Sequence, residues 1–121
     1  MSILLELELM GLPPTVNSMY RSVRGGFRYK TAATRQYQMY ATCKIREAWQ
    51  GREVYTDAVS LDIKFHVKDR RRWDIDNRLK ALQDCLMTGG VILDDSQIQE
   101  LYVKREHTGD TGTYITLKTF E

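Results

Sequence analysis

Apolar and polar residues alternate in two stretches of the chain, and this pattern predicts two β-strands. Near the N-terminus, Leu5, Leu7 and Leu9 alternate with glutamates in ILLELELM, as expected of a half-buried strand. The clearest strand is AVSLDIKFHV, whose alternation predicts one apolar and one polar face. The apolar face consists of Val59, Leu61, Ile63, Phe65 and Val67, and the polar face of Asp62, Lys64 and His66.

Two other stretches have the period of an amphipathic helix. The first runs from about Thr31 to Gln50, with Gly51 as its expected end. Its apolar stripe consists of Tyr37, Ala41, Ile45, Ala48 and Trp49. The second is predicted from about Asp74 to Thr88, before the pair Gly89-Gly90. Its apolar positions are Ile75, Leu79, Leu82 and Leu86.

The remaining segments predict a long loop and two more strands. Residues 11–31 contain Pro13-Pro14 and Gly25-Gly26, which are typical of a long ordered loop or an irregular hairpin. The segments IQELYVKRE and GTYITLKTF have the pattern of two strands joined by the turn HTGDTG. The resulting order, β-α-β-α-β-β, predicts a single α+β domain over residues 1–121. In it, one mixed (or fully antiparallel) sheet packs against two helices.

Composition changes this picture little, but the distribution of charge adds to it. The chain has 121 residues, 42% of them hydrophobic, and a net charge of +2, so we expect one soluble domain. No apolar run reaches membrane-spanning length, so we expect a cytoplasmic protein without membrane contacts. No Walker, HExxH, GxSxG or dinucleotide-binding motif occurs, so we expect no small-molecule cofactor.

The positive charges cluster in two segments. No acidic residue lies between Glu8 and Glu47, although that interval is rich in arginine and lysine. These clusters predict a positive face that binds nucleic acid, although solvated surface arginines are common in any soluble protein. The candidate DNA-binding residues are Arg21, Arg24, Arg28, Lys30, Lys68, Arg70, Arg71 and Arg72.

Two acidic pairs flank the second predicted helix. Asp74 is expected at or near its N-cap and Asp76 in its first turn, and the pair Asp94-Asp95 follows the helix. Lys80 and Asp84 follow Asp76 on the same predicted helix face. Carboxylate oxygens suit Mg²⁺, which needs only one or two of them besides water and substrate phosphate. Behind a basic cluster, this set indicates metal-dependent phosphodiester hydrolysis, with Lys80 stabilising negative charge in the transition state.

Each acid also has a purely structural explanation. Asp74 could serve only as a helix cap, Asp76 and Lys80 could form a surface ion pair, and Asp94-Asp95 could form a turn. Two alternative functions therefore stay open. One is a non-catalytic, structure-selective DNA-binding protein that uses the same basic face, and the other is a small interaction protein whose acids cap helices.

Four aromatic residues near the basic clusters have two interpretations each. Tyr20, Phe27 and Tyr29 alternate with arginines, which suits base stacking but also suits aromatics that cover the core. Trp73 precedes the acids and could insert into a DNA junction or pack under its own loop.

Several motifs in sequence order resemble the RusA-type Holliday junction resolvases. The main motif is Asp74-x-Asp76-Asn77-x-x-Lys80-x-x-x-Asp84, followed by Gly90 and Leu93-Asp94-Asp95-x-Gln97. The segment Pro13-Pro14-x-x-Asn17-x-x-Tyr20-Arg21 resembles the N-terminal motif of the same family. Trp73 stands where that family often has arginine, a departure that concerns one DNA backbone contact rather than the metal site.

The resemblance implies a RusA-like fold and a homodimeric, Mg²⁺-dependent endodeoxyribonuclease, with Mn²⁺ as a substitute metal. Such enzymes are often encoded by prophages and cut four-way DNA junctions by paired nicks, in recombination and repair. The resemblance implies metal-binding and catalytic roles for Asp74, Asp76 and Asp95, and a catalytic role for Lys80. Asp94 and Asp84 match acids of the motif that are either additional ligands or supporting residues. Val91 and Ile92 are candidates for the dimer surface.

Overall fold

A four-stranded mixed sheet with helices against one face forms the body of the protein, and the computed structural model describes residues 2–68, 70 and 73–121. The strands are β1 (Ile3–Met10), β2 (Tyr20–Ser22), β3 (Arg28–Lys30), β4 (Val59–Val67), β5 (Ile98–His107) and β6 (Gly112–Thr119). The helices are α1 (Val16–Met19), α2 (Ala32–Trp49) and α3 (Leu79–Thr88). Two 3₁₀ turns, named here the Asp76 turn (Ile75–Arg78) and the Asp95 turn (Asp95–Gln97), flank α3.

The strand order in the main sheet is β1-β6-β4-β5, with β4 antiparallel to β6 and parallel to β5. The predicted α+β architecture and mixed sheet are confirmed. The strands β5 and β6 also exist as predicted, but β4 lies between them, so HTGDTG does not close a hairpin. The reason is burial: β4 is almost wholly apolar on its core face and takes the centre, whereas the more polar β5 suits an edge.

The core lies between the sheet and the pair α2 and α3. Periodicity predicted α2 well: Thr31 caps it by accepting a hydrogen bond from the Thr34 amide (3.2 Å), and Gln50 ends it in the left-handed conformation. The apolar face of α3 is also confirmed, but the helix begins at Leu79 rather than near Asp74, because residues 75–78 form the 3₁₀ turn. Neither α2 nor any other described helix combines the length and apolarity that crossing a membrane requires.

Val91 and Ile92 belong to the core of the monomer, and their suggested role in a dimer surface is wrong. Their side chains are 0% and 1% exposed. Gly90, with a φ of 77°, turns the chain back, so that the Val91 amide donates to the Leu86 carbonyl (3.1 Å). The Val91 carbonyl then accepts from the Tyr55 amide (2.8 Å), which fixes this segment beside residues 55–57.

Residues 11–31 form the short helix α1 and an antiparallel hairpin, as the irregular-hairpin alternative expected. Strand β2 pairs with β3, with Tyr20 opposite Lys30 and Ser22 opposite Arg28. Met19, at the end of α1, is fully buried, and its carbonyl accepts from the Thr31 amide (3.0 Å). The base of the hairpin is therefore fixed to the start of α2.

We expect Gly89→Ala to destabilise the fold by about 1–3 kcal/mol, the usual cost of overpacking a core. A Cβ at Gly89 would lie 2.8 Å from Ile45 Cγ2 and 2.9 Å from the Cys85 carbonyl oxygen, and a helix backbone cannot yield. Urea unfolding followed by circular dichroism measures the free energy of unfolding. The exposed neighbour variant Thr88→Ala should change it by less than about 0.5 kcal/mol. Equal stability of the two variants would contradict the close packing of α2 and α3.

Candidate active site

The candidate catalytic residues all lie in the connection between β4 and β5. Parallel strands cannot be joined by a tight turn, so the chain crosses over through residues 68–97. The Asp76 turn contacts both α3 and β5, and the Asp95 turn contacts α3. The crossover therefore presents two acid-bearing turns on the same helix.

The first of these turns is fixed to the sheet through Trp73. Its ring packs edge-on against Phe65, with ring centroids 5.6 Å apart. The guanidinium carbons of Arg78 and Arg105 each lie 4.7 Å from the centroid of the Trp73 ring. Arg105 Nη1 also donates to the Trp73 carbonyl (2.9 Å). Trp73 thus packs under its loop, as one of its two interpretations expected, and positions the residue that follows it, Asp74.

Arg78 connects the same turn to the N-terminal half of the chain. Its Nη1 donates to the carbonyl of Pro13, a buried residue, at 2.6 Å. Desolvation by burial lowers the pKa of the Arg78 guanidinium from its ordinary value. The group gains a carbonyl acceptor and an aromatic face in place of water, which suits a structural role better than a DNA contact.

Asp74 and Asp76 are exposed, and the Asp74 carboxylate is not used as a cap. Asp74 occupies the N-cap position of the Asp76 turn in extended conformation, but its side chain makes no capping hydrogen bond. Its backbone carbonyl accepts from the Asn77 amide (3.0 Å) and closes the turn. Asp74 thus begins the Asp76 turn rather than α3, whose N-cap position is occupied by Arg78, and the explanation of Asp74 as only a helix cap is not supported by this geometry.

Lys80, in the first turn of α3, forms an ion pair with an acid of the same helix. Its Nζ lies 3.2 Å from Asp84 Oδ1, and the ion pair forms with Asp84 rather than with Asp76. Asp76 lies in a 3₁₀ turn, where residues four apart do not stack as they do along an α-helix. The hydrogen bond and charge of Asp84 raise the pKa of the Lys80 ammonium, and the Asp95 charge and an ionised Tyr20 raise it further. Lys80 is therefore positively charged at neutral pH and lies near Asp95.

Asp94 supports the Asp95 turn as its N-cap. Its Oδ2 accepts from the Ser96 amide (3.1 Å), and the hydrogen bonds from Ser96 lower the pKa of the Asp94 carboxyl. Because its side chain is used in this way, Asp94 fits the supporting role that the sequence left open. The neighbouring Asp95 is half-buried and lies in the turn that Asp94 begins.

Gln97 fixes the same turn to the body of the protein. Its Oε1 accepts from the amides of Leu93 (2.7 Å) and Asp94 (3.0 Å). Its Nε2 donates to the carbonyls of Tyr55 (2.7 Å) and Asp57 (3.0 Å). One side-chain amide thus sets the distance between the Asp95 turn and residues 55–57.

The acids do not form a complete metal site by themselves. Within residues 2–68, 70 and 73–121, no three Asp, Glu, His or Cys side chains lie close enough together to hold a metal ion. Asp74, Asp76 and Asp95 as joint ligands therefore remain a prediction. The donors do fit Mg²⁺ chemically, since they are carboxylates with at least partial exposure, and Mg²⁺ keeps several water ligands.

The predicted DNA-binding cations differ in their surroundings. Arg21, Arg24 and Arg28 are exposed on the hairpin, while Lys30 is half-buried, with its Nζ donating to Gln38 Oε1 (2.9 Å). Lys68 and Arg70 are exposed on the loop after β4. Arg71 and Arg72 lie outside the described residues.

A protein-family model described as Endodeoxyribonuclease RusA matches residues 11–118 of this chain. The chain belongs to the RusA family. A relative from Aquifex aeolicus, named Crossover junction endodeoxyribonuclease RusA, is 32% identical over 118 residues, which cover 97% of this chain and 93% of that protein. Proteins of the same name from Escherichia coli K12 and Enterobacteria phage 82 are each 34% identical over 91 residues, or 75% of this chain and 74% of theirs. The family predicted from the motifs is confirmed.

Sequence reasoning missed the residues that position the acids of this RusA-family chain. Arg105 stands in register with Phe65, at a strand position where alternation predicts an apolar residue, and this exception was a usable signal. Asp94-x-x-Gln97 has the spacing of a capping box, which was also readable. The contact of Arg78 with Pro13 joins residues 65 positions apart and left no local pattern.

We expect Trp73→Ala to lower the free energy of unfolding by about 2 kcal/mol, less than the cost for a fully buried tryptophan. The ring contacts Phe65 and two guanidinium groups, and alanine would leave all three without their partner. Trp73→Phe should retain more than half of this stability. The control is Tyr102→Ala, at an exposed aromatic residue on β5, which should lower the free energy of unfolding only slightly. If Trp73→Ala lowered it no more than Tyr102→Ala does, the structural role of Trp73 would be contradicted.

We expect Asp84→Asn to lower the pKa of Lys80 toward the ordinary lysine value, because the hydrogen bond and the charge of Asp84 are the largest contributions that raise this pKa. A raised folded-state pKa contributes stability below the unfolded value, and this contribution disappears as pH rises through the folded value. Any stability difference between wild type and Asp84→Asn should therefore shrink at strongly alkaline pH. NMR titration of the Lys80 side chain measures the pKa, with Asp110→Asn as the control. An unchanged Lys80 pKa in Asp84→Asn would contradict the pairing.

Proposed function

We propose that this protein is a Mg²⁺-dependent endodeoxyribonuclease that resolves four-way DNA junctions by symmetric paired nicks. The observation that carries the proposal is the arrangement around Lys80, which pairs with Asp84 on α3 and is coupled electrostatically to Asp95 across the crossover. The RusA-family relatives are named crossover junction endodeoxyribonucleases, which supports a nuclease acting on branched DNA. Such an enzyme would act in the cytoplasm, in recombination and repair of host or prophage DNA.

Asp74, Asp76 and Asp95 would hold the metal, with Mn²⁺ as a substitute for Mg²⁺. A bound Mg²⁺ supplies Lewis-acid chemistry at the scissile phosphate. The exposed Asp74 and Asp76 carboxylates, on a turn fixed by Trp73, support this assignment. Asp94 is placed in a supporting role because its oxygen already accepts a backbone hydrogen bond.

Lys80 would stabilise the negative charge that develops on the phosphate and the leaving oxygen. Its ammonium is half-exposed and can reach a bound phosphate, while Asp84 holds it in a defined orientation. A lysine with a raised pKa does not act as a base at neutral pH, which leaves a fixed positive charge as its role. Asp84 and Gln97 are then positioning residues, which act through Lys80 and the Asp95 turn.

The basic residues would hold the DNA backbone, and a homodimer would supply the two nicks. Arg21, Arg24, Arg28, Lys68 and Arg70 are exposed and can contact phosphates, so affinity should fall steeply with salt. A two-fold dimer presents two identical sites to a two-fold junction, so that each protomer needs one pocket. The metal, the dimer and the junction are the three components of this proposal.

We expect Asp76→Asn to reduce cleavage of a synthetic four-way junction at least 100-fold while junction affinity changes less than threefold. Wild type should nick the junction symmetrically in Mg²⁺, fail in EDTA and leave a linear duplex of the same sequence intact. Asp110→Asn, outside the crossover, is the matched control and should cut normally. Gel analysis of end-labelled strands measures the nicks.

If wild type binds the junction but does not cut it in the presence of any divalent metal, the nuclease is excluded and a structure-selective DNA-binding protein remains. The metal can be tested separately by thermal unfolding. Mg²⁺ should raise the melting temperature of wild type more than that of Asp76→Asn, because the ion binds only the folded site. An equal shift in both would contradict Asp76 as a ligand.

A further inference from the structure

The hairpin Tyr20–Lys30 carries aromatic and aliphatic side chains that do not contribute to the core. Phe27 is 73% exposed, Tyr29 46% and Val23 43%. Core-covering aromatics would be largely buried, so that interpretation of Phe27 is wrong. A two-stranded hairpin gains little stability alone, and its exposed apolar surface lacks a structural explanation.

These side chains share one face of the hairpin. Arg21 pairs with Tyr29, and side chains of directly opposite residues lie on the same face. The Val23 amide donates to the Phe27 carbonyl (2.8 Å), which extends the ladder by one pair toward the tip. The outer face therefore carries Arg21, Tyr29, Val23 and Phe27.

The other face turns toward the protein. It carries Tyr20 and Arg28, whose guanidinium carbon lies 4.8 Å from the Tyr20 ring centroid, and Lys30, which is bonded to Gln38 of α2. Together with the Thr31 and Met19 hydrogen bond, these contacts fix the base of the hairpin. The outer face is left for a partner.

The tip has a defined shape. The Gly26 amide donates to the Val23 carbonyl (3.2 Å), and Gly25 and Gly26 have φ values of 95° and 84°, which favour glycine. The Phe27 ring lies over Gly25, where a Cβ would be 3.7 Å from its carbons. Phe27 therefore projects from a tight turn rather than from a loose loop.

The charge and location of the hairpin identify the partner. It contains Arg21, Arg24, Arg28 and Lys30 and no acidic residue, so it attracts a polyanion. Its base adjoins the candidate active site, since α1 contacts α3 and Tyr20 is near enough to Lys80 to influence its pKa. A cationic hairpin beside a nuclease site is placed to contact DNA close to the cut.

Phosphates can bind the arginines but offer nothing to an exposed phenylalanine. The face of a base can bind a phenylalanine, because stacking on an aromatic side chain is favourable for every base. Linear duplex buries its base faces in the continuous stack, whereas the pairs at the branch point of an open, unstacked junction lack one stacking neighbour. Apolar side chains are also known to insert between the base steps of duplex DNA in other DNA-binding proteins, where they must first unstack the bases.

We propose that Phe27 stacks on a base at the branch point and gives this protein its preference for junctions over linear duplex. The inference rests on the proposed function and adds a selectivity residue to it. The surrounding arginines supply affinity for any DNA, and Phe27 supplies the discrimination. Tyr29 and Val23 extend the apolar surface behind it.

The test compares Asp76→Asn with the double variant Asp76→Asn/Phe27→Ala, so that both bind DNA without cutting. Fluorescence anisotropy gives affinities for a four-way junction and for linear duplex. The second change should weaken junction binding about tenfold, within the range for loss of one stacked base, and duplex binding less than twofold. Phe27→Trp should preserve the junction preference, and Tyr102→Ala, at an exposed aromatic outside the hairpin, should leave both affinities unchanged.

A 2-aminopurine placed at the branch point reports unstacking directly. Its fluorescence should change when Asp76→Asn binds, and this change should be lost in the double variant. Arg24→Ala in the same background should instead weaken junction and duplex binding equally and reduce the dependence on salt. This comparison separates stacking from charge.

Four results would overturn the inference. Unchanged junction preference in the Phe27→Ala variant would exclude the stacking role, while the junction nuclease itself would stand. Equal loss for junction and duplex would assign Phe27 to general DNA binding or to the hairpin fold. If the Phe27→Ala change altered the association state in sedimentation but left the 2-aminopurine response intact, the outer face of the hairpin would be assigned to contact between copies of the chain. If Asp76→Asn itself shows no junction preference, the proposed function fails and this inference fails with it.

Discussion

Parallel pairing of β4 with β5 is the constraint on which the candidate site depends. Two parallel neighbours force the chain to return across the sheet, and the return segment, residues 68–97, holds every candidate acid and Lys80. A hairpin at this place would have left no room for α3 or for the two turns beside it. The chemistry is therefore carried by a connection rather than by the sheet, which agrees with the general placement of functional residues on connecting segments.

Two fixed points hold this connection. At its start, the Trp73 ring contacts two guanidinium groups, whose mutual repulsion is offset by the ring and by the backbone carbonyls that accept from each cation. At its end, Gln97 uses both ends of its amide. Between them, α3 is packed by its apolar face, and Lys80 projects from the opposite side. The acids are thus positioned from both ends, while the side chains of Asp74 and Asp76 stay exposed and that of Asp95 is half-buried.

Local patterns predicted those parts of the fold in which a segment's own sequence decides its structure. Helix α2 and strand β4 were predicted closely, because their periodicity and their burial agree. The position of β4 between β5 and β6 could not be predicted, since it depends on which strand is best suited to the buried centre of the sheet. The burial of Val91 and Ile92 likewise follows from a turn at Gly90 that joins distant segments.

The candidate site shows the same division. The motif identified Asp74, Asp76 and Lys80 as candidates, and their catalytic roles stay a prediction. The partner of Lys80 and the supporting role of Asp94 needed the three-dimensional structure, because a 3₁₀ turn and an α-helix present the same residues differently. The contact of Arg78 with Pro13 could not be predicted because the two residues lie 65 positions apart, whereas Arg105 interrupts the apolar alternation of β5 and was open to prediction.

The hydrogen bonds of Gln97 determine what a mutation at this position would change in the protein. Gln97 lies outside the hydrophobic core, yet four hydrogen bonds that locate the Asp95 turn pass through its side chain. Because Gln97 is not part of that core, we expect a chain without this amide to keep its sheet, its helices and all its acids. A copy of the chain that lost Gln97 would therefore be folded with a displaced aspartate, and an inventory of its acidic residues would not distinguish it from the intact protein.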